Sequence, residues 1–136
     1  MTKSALVLTL FIAWALLLLV VMEILRSYLV LAGRARSNEF KPDNSNVSSG
    51  FMQRLARAHA NCVESLPLFG GLLLVALVTG RTQATDAAGL WLLAARIVQS
   101  SIHLASTSVM AVNARFVAFM VQVAIALYWV WALLAY

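Results

Sequence analysis

Charge is what this chain has least of. Of its 136 residues, ten are Lys or Arg and five are Asp or Glu, 11% together, where a soluble domain carries about a quarter charged residues. Hydrophobic residues make up 62% and the mean hydropathy is +0.88. An ordinary soluble fold is excluded, and the expected class is an all-α integral membrane protein with one domain over residues 1–136. Cysteine occurs once, as Cys62. That excludes an internal disulfide framework and a thiolate metal cage. The two histidines and the carboxylates do not fall at metal-ligand spacing, so no metal is expected. No Ser/His/Asp arrangement is readable. No long basic run interleaved with aromatics points to nucleic acid, so none is expected as a partner. There is no low-complexity tract and no internal repeat. The net charge of +5 reads as orientation signal plus buried arginine.

What is present in quantity is apolar helix. The pattern predicts four spans, at about 4–32, 51–78, 87–106 and 113–134, forming a four-transmembrane-helix bundle. The first is too long for the apolar core of a cleaved leader and runs into Glu23 and Arg26, which are three apart and can pair as a packing clamp. Residues 33–50 are the one polar loop: Gly33 can end the first helix, Pro42 and Asp43 forbid helix, and Ser48 or Ser49 can cap the second. Pro67 lies inside the second span, followed by Gly70 and Gly71 for close helix contact. Trp91, Trp129, Trp131 and Tyr136 sit near span ends, where amphipathic rings favour the interface. Arg34, Arg36, Lys41, Arg54 and Arg115 outnumber Lys3 and Arg81 across the membrane, which puts the loop in the cytoplasm and both termini outside it.

The second span opens with RLARAHANCVESLPLF, residues 54–69. A helix turns by about 100° per residue, so Arg54, Arg57, Asn61, Glu64 and Leu68 share one stripe and His59 points elsewhere. Charge in hydrocarbon is costly unless it is paired or meets a polar ligand. Arg96, Gln99, Ser100, His103 and Thr107 form a second stripe, and Arg115 and Gln122 share a face of the fourth span. Glu64 and Arg96 come out at similar depth, where they could pair, with Arg57, His103 and Arg115 shallower. Each of these charges, taken alone, reads equally as a clamp or as part of a ligand site. Together, arginine forks near the interface with a carboxylate and an amide deeper suit a small zwitterionic peptide with more than one carboxylate. Arginine would also favour the thiolate of a bound thiol. Cys62, Met110, Phe116 and Phe119 read most simply as packing or lipid contacts.

The run at 54–69 resembles the signature of the MAPEG superfamily, membrane-associated proteins of eicosanoid and glutathione metabolism, whose pattern is approximately E-R-x-x-R-A-H/Q-x-N-x-x-E-x-x-P-x-F at the start of the second of four helices. The likeness extends over essentially the whole chain: an arginine in the first loop, A-R in the third span and N-A-R-F at the start of the fourth. It implies a homotrimer binding glutathione as co-substrate between neighbouring subunits near the cytoplasmic side. By position, Arg36, Arg57, Asn61, Glu64 and Arg96 match glutathione contacts, His59 matches the His/Gln position, and Arg115 resembles the arginine that stabilises the glutathione thiolate. Gln53 replaces the usual glutamate, and His103 falls where many members have a tyrosine that contacts glutathione. Phe116 and Phe119 replace the serine and tyrosine of the prostaglandin E synthase branch, which argues against that isomerase chemistry. The local N-C-x-E-x-x-P-L-F resembles the cysteinyl-leukotriene synthase branch. The short chain fits a general glutathione transferase of a bacterial inner membrane. The implied activity is conjugation of glutathione to a lipophilic second substrate drawn from the membrane lipid, with peroxidase activity toward lipid hydroperoxides as a companion. The rival is a non-catalytic lipid-binding or scaffold member. A small transporter ranks last, because the charged sites cluster in one half of the membrane.

Overall fold

A computed structural model describes residues 1–41 and 49–135. The roles predicted for Pro42, Asp43, Ser48 and Tyr136 fall outside the described residues. The helices are α1 (Lys3–Leu31), α2 (Gly50–Val78), α3 (Gln83–Asp86), α4 (Gly89–Ala105) and α5 (Val109–Leu134), with one 3₁₀ turn at Ser37–Glu39. Among the described residues there is no strand.

Local chemistry sets the ends. The Thr2, Ser49 and Ser108 side chains accept from the backbone N–H of Ala5, Met52 and Ala111, so α1, α2 and α5 each begin at a hydroxyl cap. Gly33 and Gly80 have φ of 69° and 70° just past the ends of α1 and α2. The amide of the next residue reaches back in each case, Arg34 to the Leu29 carbonyl at 2.9 Å and Arg81 to the Ala76 carbonyl at 2.8 Å. A side chain with Cβ is strained in that left-handed turn, which is why glycine stands there.

Three helices, α1, α2 and α5, are long and apolar enough to cross a membrane. The third predicted span is different. It is matched by α4 alone, whose 17 residues make about 25 Å of helix against a hydrocarbon core of about 30 Å, and the four-residue α3 lies before it, between the second and third predicted spans. α5 starts four residues before the predicted Asn113, because Ser108 caps it.

α1 packs mainly on α2 and α4 mainly on α5, and contacts of α4 with α1 and α2 join the pairs. The buried face of α1 is Ser4, Val7, Phe11, Ala15, Leu18 and Met22, at steps of three and four. Its upper part meets Phe69, Leu73, Leu92, Leu93 and Trp129, and its lower part meets Leu55, Ala56, Ala58 and Cys62. Small residues set the spacing, as expected where lipid removes the hydrophobic drive between helices. A Cβ on Gly89 would lie 3.1 Å from Val7, and one on Gly70 would lie 3.1 Å from both Leu8 and Leu66. Gly71 differs from the prediction: nothing lies within 4 Å of its Cβ position, and it borders a cavity instead of a helix. Trp129 is also corrected. It is wholly buried in the core, whereas Trp91 and Trp131 are 72% and 66% exposed.

At the end of the bundle away from the polar loop, Ser4 and Thr85 are fully buried with their hydroxyls 2.6 Å apart. One Asp86 carboxylate oxygen accepts from the Ser4 amide at 2.8 Å and from its hydroxyl at 2.6 Å. An acceptor anion at the first turn of α1 satisfies an otherwise orphan donor and suits the helix dipole. Arg81 donates to the Leu133 carbonyl at 2.9 Å, closing the last turn of α5 in the same way.

Candidate functional site

The polar stripe of α2 feeds two cavities. The first, of about 400 Å³, lies between the start of α2 and the facing ends of α4 and α5, and is lined by Gly50, Gln53, Arg54, Arg57, His103, Thr107 and Arg115. Arg57 is exposed, and Arg54, His103 and Arg115 are half-buried. Arg54 is fixed by its Nε, which donates to the Leu104 carbonyl at 2.8 Å across fifty residues of sequence. That bond occupies one of the last carbonyls of α4 and holds the helix end against α2. His103, one residue earlier, then sits in the field of Arg115 and Arg57. Arg115 Nε is buried with no hydrogen-bond partner. Three guanidinium groups thus converge, and among the described residues no carboxylate lines the cleft. Such a space favours anions, and more so where water is thin.

The second cavity, about 560 Å³, runs between α2 and α5. Asn61, Glu64 and Ser65 stand at one end, and Pro67, Leu68, Leu72, Phe119, Val123 and Val130 are among its apolar walls. Asn61 is one turn beyond Arg57 on α2, and Phe119 one turn beyond Arg115 on α5. The cavities are therefore offset by about 6 Å along the same two helices.

The ion pair that similar depth would allow between Glu64 and Arg96 is not formed. Among the described residues no hydrogen bond or ion pair joins Glu64 to a neighbour, and its side chain is exposed on the outer face of α2. Arg96 is fully buried instead. Its Nη1 donates to Asn61 Oδ1 at 2.5 Å, and its guanidinium lies 5.5 Å and 5.6 Å from the ring centres of Phe11 and Phe69. The reason is azimuth: Arg96 points into the bundle, where Asn61 and two aromatic faces take up the cation, and Glu64 points out. The clamp predicted for Glu23 and Arg26 is present at 2.9 Å. His59 stands off the stripe, near that pair. Cys62 is wholly buried, its Sγ 3.9 Å from Ser100 Oγ. Met110 and Phe116 are 82% and 63% exposed and Phe119 lines the apolar cavity.

The structure thus brings Arg57, His103 and Arg115 together in one cavity and Asn61 and Glu64 in the next. It places Arg96 behind Asn61, and Arg36 on the loop after α1, exposed and in neither cavity. Sequence reasoning missed Arg54 as the tie to α4. It also missed that Gln99 and Gln122 bond to each other, with Gln122 Nε2 donating to Gln99 Oε1 at 2.9 Å. The spacing of Arg96 and Gln99, one turn apart, was the available signal.

Comparison with curated proteins and with solved structures finds no match. A family model does match, and it covers residues 4–135, from the first turn of α1 to the end of α5. With that coverage, and with the motif residues lining two adjoining cavities, the chain belongs to the MAPEG family.

Proposed function

We propose that this protein is a membrane-bound glutathione transferase of the MAPEG family, acting as a multi-pass homotrimer in a bacterial inner membrane with both termini on the non-cytoplasmic side. The observation that carries the reading is the convergence of Arg54, Arg57, Arg115 and His103 on one cavity. Glutathione brings two carboxylates and a thiol. Guanidinium forks bind carboxylates bidentately, and nearby cations raise the thiolate fraction at neutral pH. Arg115, whose Nε has no bond partner, is assigned to the thiolate. Arg57 and His103 hold the tripeptide from the cleft, and Asn61 and Glu64 hold it from the next turn.

The apolar cavity supplies the other reactant. Its walls beyond Asn61, Glu64 and Ser65 are apolar, which suits a lipophilic electrophile held one turn from the arginine cleft. The thiolate forms a bond to electrophilic carbon, and the leaving group departs with its electron pair and takes up a proton. With a lipid hydroperoxide, the thiolate attacks oxygen, the O–O bond breaks and an alcohol is released. A second glutathione then converts the sulfenic acid to the disulfide and water.

Assembly completes the site in this reading. Arg36 is exposed on the loop after α1 and is assigned to the tripeptide bound against a neighbouring copy. Glu64 is exposed on a helix apolar enough to cross a membrane, which is costly against lipid and is relieved at an interface between copies.

The test is titration of the purified protein with glutathione at neutral pH, following thiolate absorbance in the ultraviolet. Saturable thiolate formation is expected, and Arg115→Ala is expected to bind glutathione with the thiolate signal lost. An Arg115→Ala protein with undiminished thiolate would overturn that residue's role. Absence of binding at millimolar glutathione would sink the transferase reading and favour a lipid-binding member of the family.

A further inference from the structure

Arg96 is a donor-only group. A guanidinium has five N–H bonds and no acceptor, so the atom of Asn61 that it meets must be the carbonyl oxygen. The orientation then propagates. Asn61 Oδ1 also faces Gln99, so Gln99 turns its Nε2 toward it, at 3.4 Å. That leaves Gln99 Oε1 for α5, where Gln122 Nε2 donates to it at 2.9 Å and to the Ala118 carbonyl at 3.0 Å. Arg96, Gln99 and Gln122 are all at least nine-tenths buried, which shields their side of these bonds from water. One cation, itself pinned between Phe11 and Phe69, thereby fixes the direction of three amides on three helices. With Oδ1 turned inward, the Asn61 Nδ2 is the end left for the cavity that the residue lines, beside the Glu64 carboxylate one turn on.

We infer that Arg96, with Gln99, is a positioning residue that locks the Asn61 amide so that it offers the bound ligand an N–H donor, and that Arg96 does not itself touch the ligand. This rests on the glutathione reading above and deepens it. The ligand atom opposite Asn61 must be an acceptor, a carbonyl or carboxylate oxygen, and an N–H or ammonium of the ligand falls to Glu64. A ligand presenting only donors along this stretch of α2 is rejected, because the amide cannot turn over without setting an N–H against a guanidinium.

Four full-length proteins in detergent micelles or nanodiscs test this: wild type, Asn61→Asp, Arg96→Met and Arg96→Lys, each measured for thermal unfolding and for glutathione affinity, KM and kcat. Asn61→Asp keeps an acceptor for both Arg96 and Gln99, so its Tm is expected to equal or exceed that of wild type. Its glutathione Kd is expected to rise about tenfold, the order of one lost donor in a site with charge. Arg96→Met frees the amide and should raise KM with kcat retained, since Asn61 lies a turn away from the sulfur. Arg96→Lys, also donor-only, should restore most of that loss. An Arg96→Lys protein as impaired as Arg96→Met would show a guanidinium fork on the ligand and overturn the inference. So would an unchanged Kd in Asn61→Asp, or a lowered Tm, which would mean that the amide faces the other way. A wild type that binds no glutathione overturns the function reading, and the Tm order then still decides the direction of the amide.

Discussion

Arg54 shows what one side chain does for the cleft. Its bond to the Leu104 carbonyl occupies a group that would otherwise be orphaned at the end of α4. Arg54→Met should therefore cost about 1–3 kcal/mol in a thermal or denaturant melt, the usual cost of stranding a part-buried acceptor. It should also raise KM for glutathione, because His103 is carried by the same helix end. Individual side chains were the hardest part to read from sequence. Depth along a helix follows from counting, and counting put Glu64 level with Arg96. Azimuth depends on how each helix is rolled by its neighbours, and that sends Glu64 outward and gives Arg96 to Asn61. Trp129 and Trp131 make the same point: two residues apart near one helix end, one is core and the other is 66% exposed.

Helix ends were legible where a side chain marks them. Ser49 and Gly33 sit where the sequence put a cap and a stop. The start of α4 falls two residues after the predicted Ala87, because Ala87, Ala88 and Gly89 carry no capping side chain to mark it. Gly89 explains itself only in space, against Val7. Overpacking there should be felt: Gly89→Leu is expected to lose about 1–3 kcal/mol in stability, since the β-branched Val7 has little rotamer freedom to retreat. Gly71→Ala is the control. With nothing within 4 Å, it should be neutral or gain up to about 1 kcal/mol from helix propensity. The tie at the far end is likewise local. Asp86→Ala strands the Ser4 amide, leaving its hydroxyl only Thr85, and should cost about 1–2 kcal/mol, read as a lower unfolding midpoint.

For the molecule as a whole, class and family were legible because composition and a sixteen-residue motif do not depend on packing. How the motif divides was not: Arg57 faces the cationic cleft, while Asn61 and Glu64 border the apolar cavity. That division suits a two-substrate reaction, with the charged reactant held at the mouth and the oily one alongside it. The proposed homotrimer sets the expected assembled mass. Light scattering of the purified protein, corrected for detergent, should give three copies, and a monomer would remove the interface on which the role of Arg36 depends. Glutathione affinity should fall as salt rises, because part of the cleft's cationic field is exposed and therefore screened.

Glu64 has a consequence for how such a protein is made. In the proposed assembly, each newly inserted copy would present the exposed Glu64 carboxylate to hydrocarbon before any sister chain is there to cover it. On that proposal the lone subunit is expected to be short-lived, its survival set by how soon it meets another. Yield should consequently rise more steeply than in proportion to the rate of synthesis, and a cell that dilutes the chain across too much membrane should lose it to proteolysis before it can work.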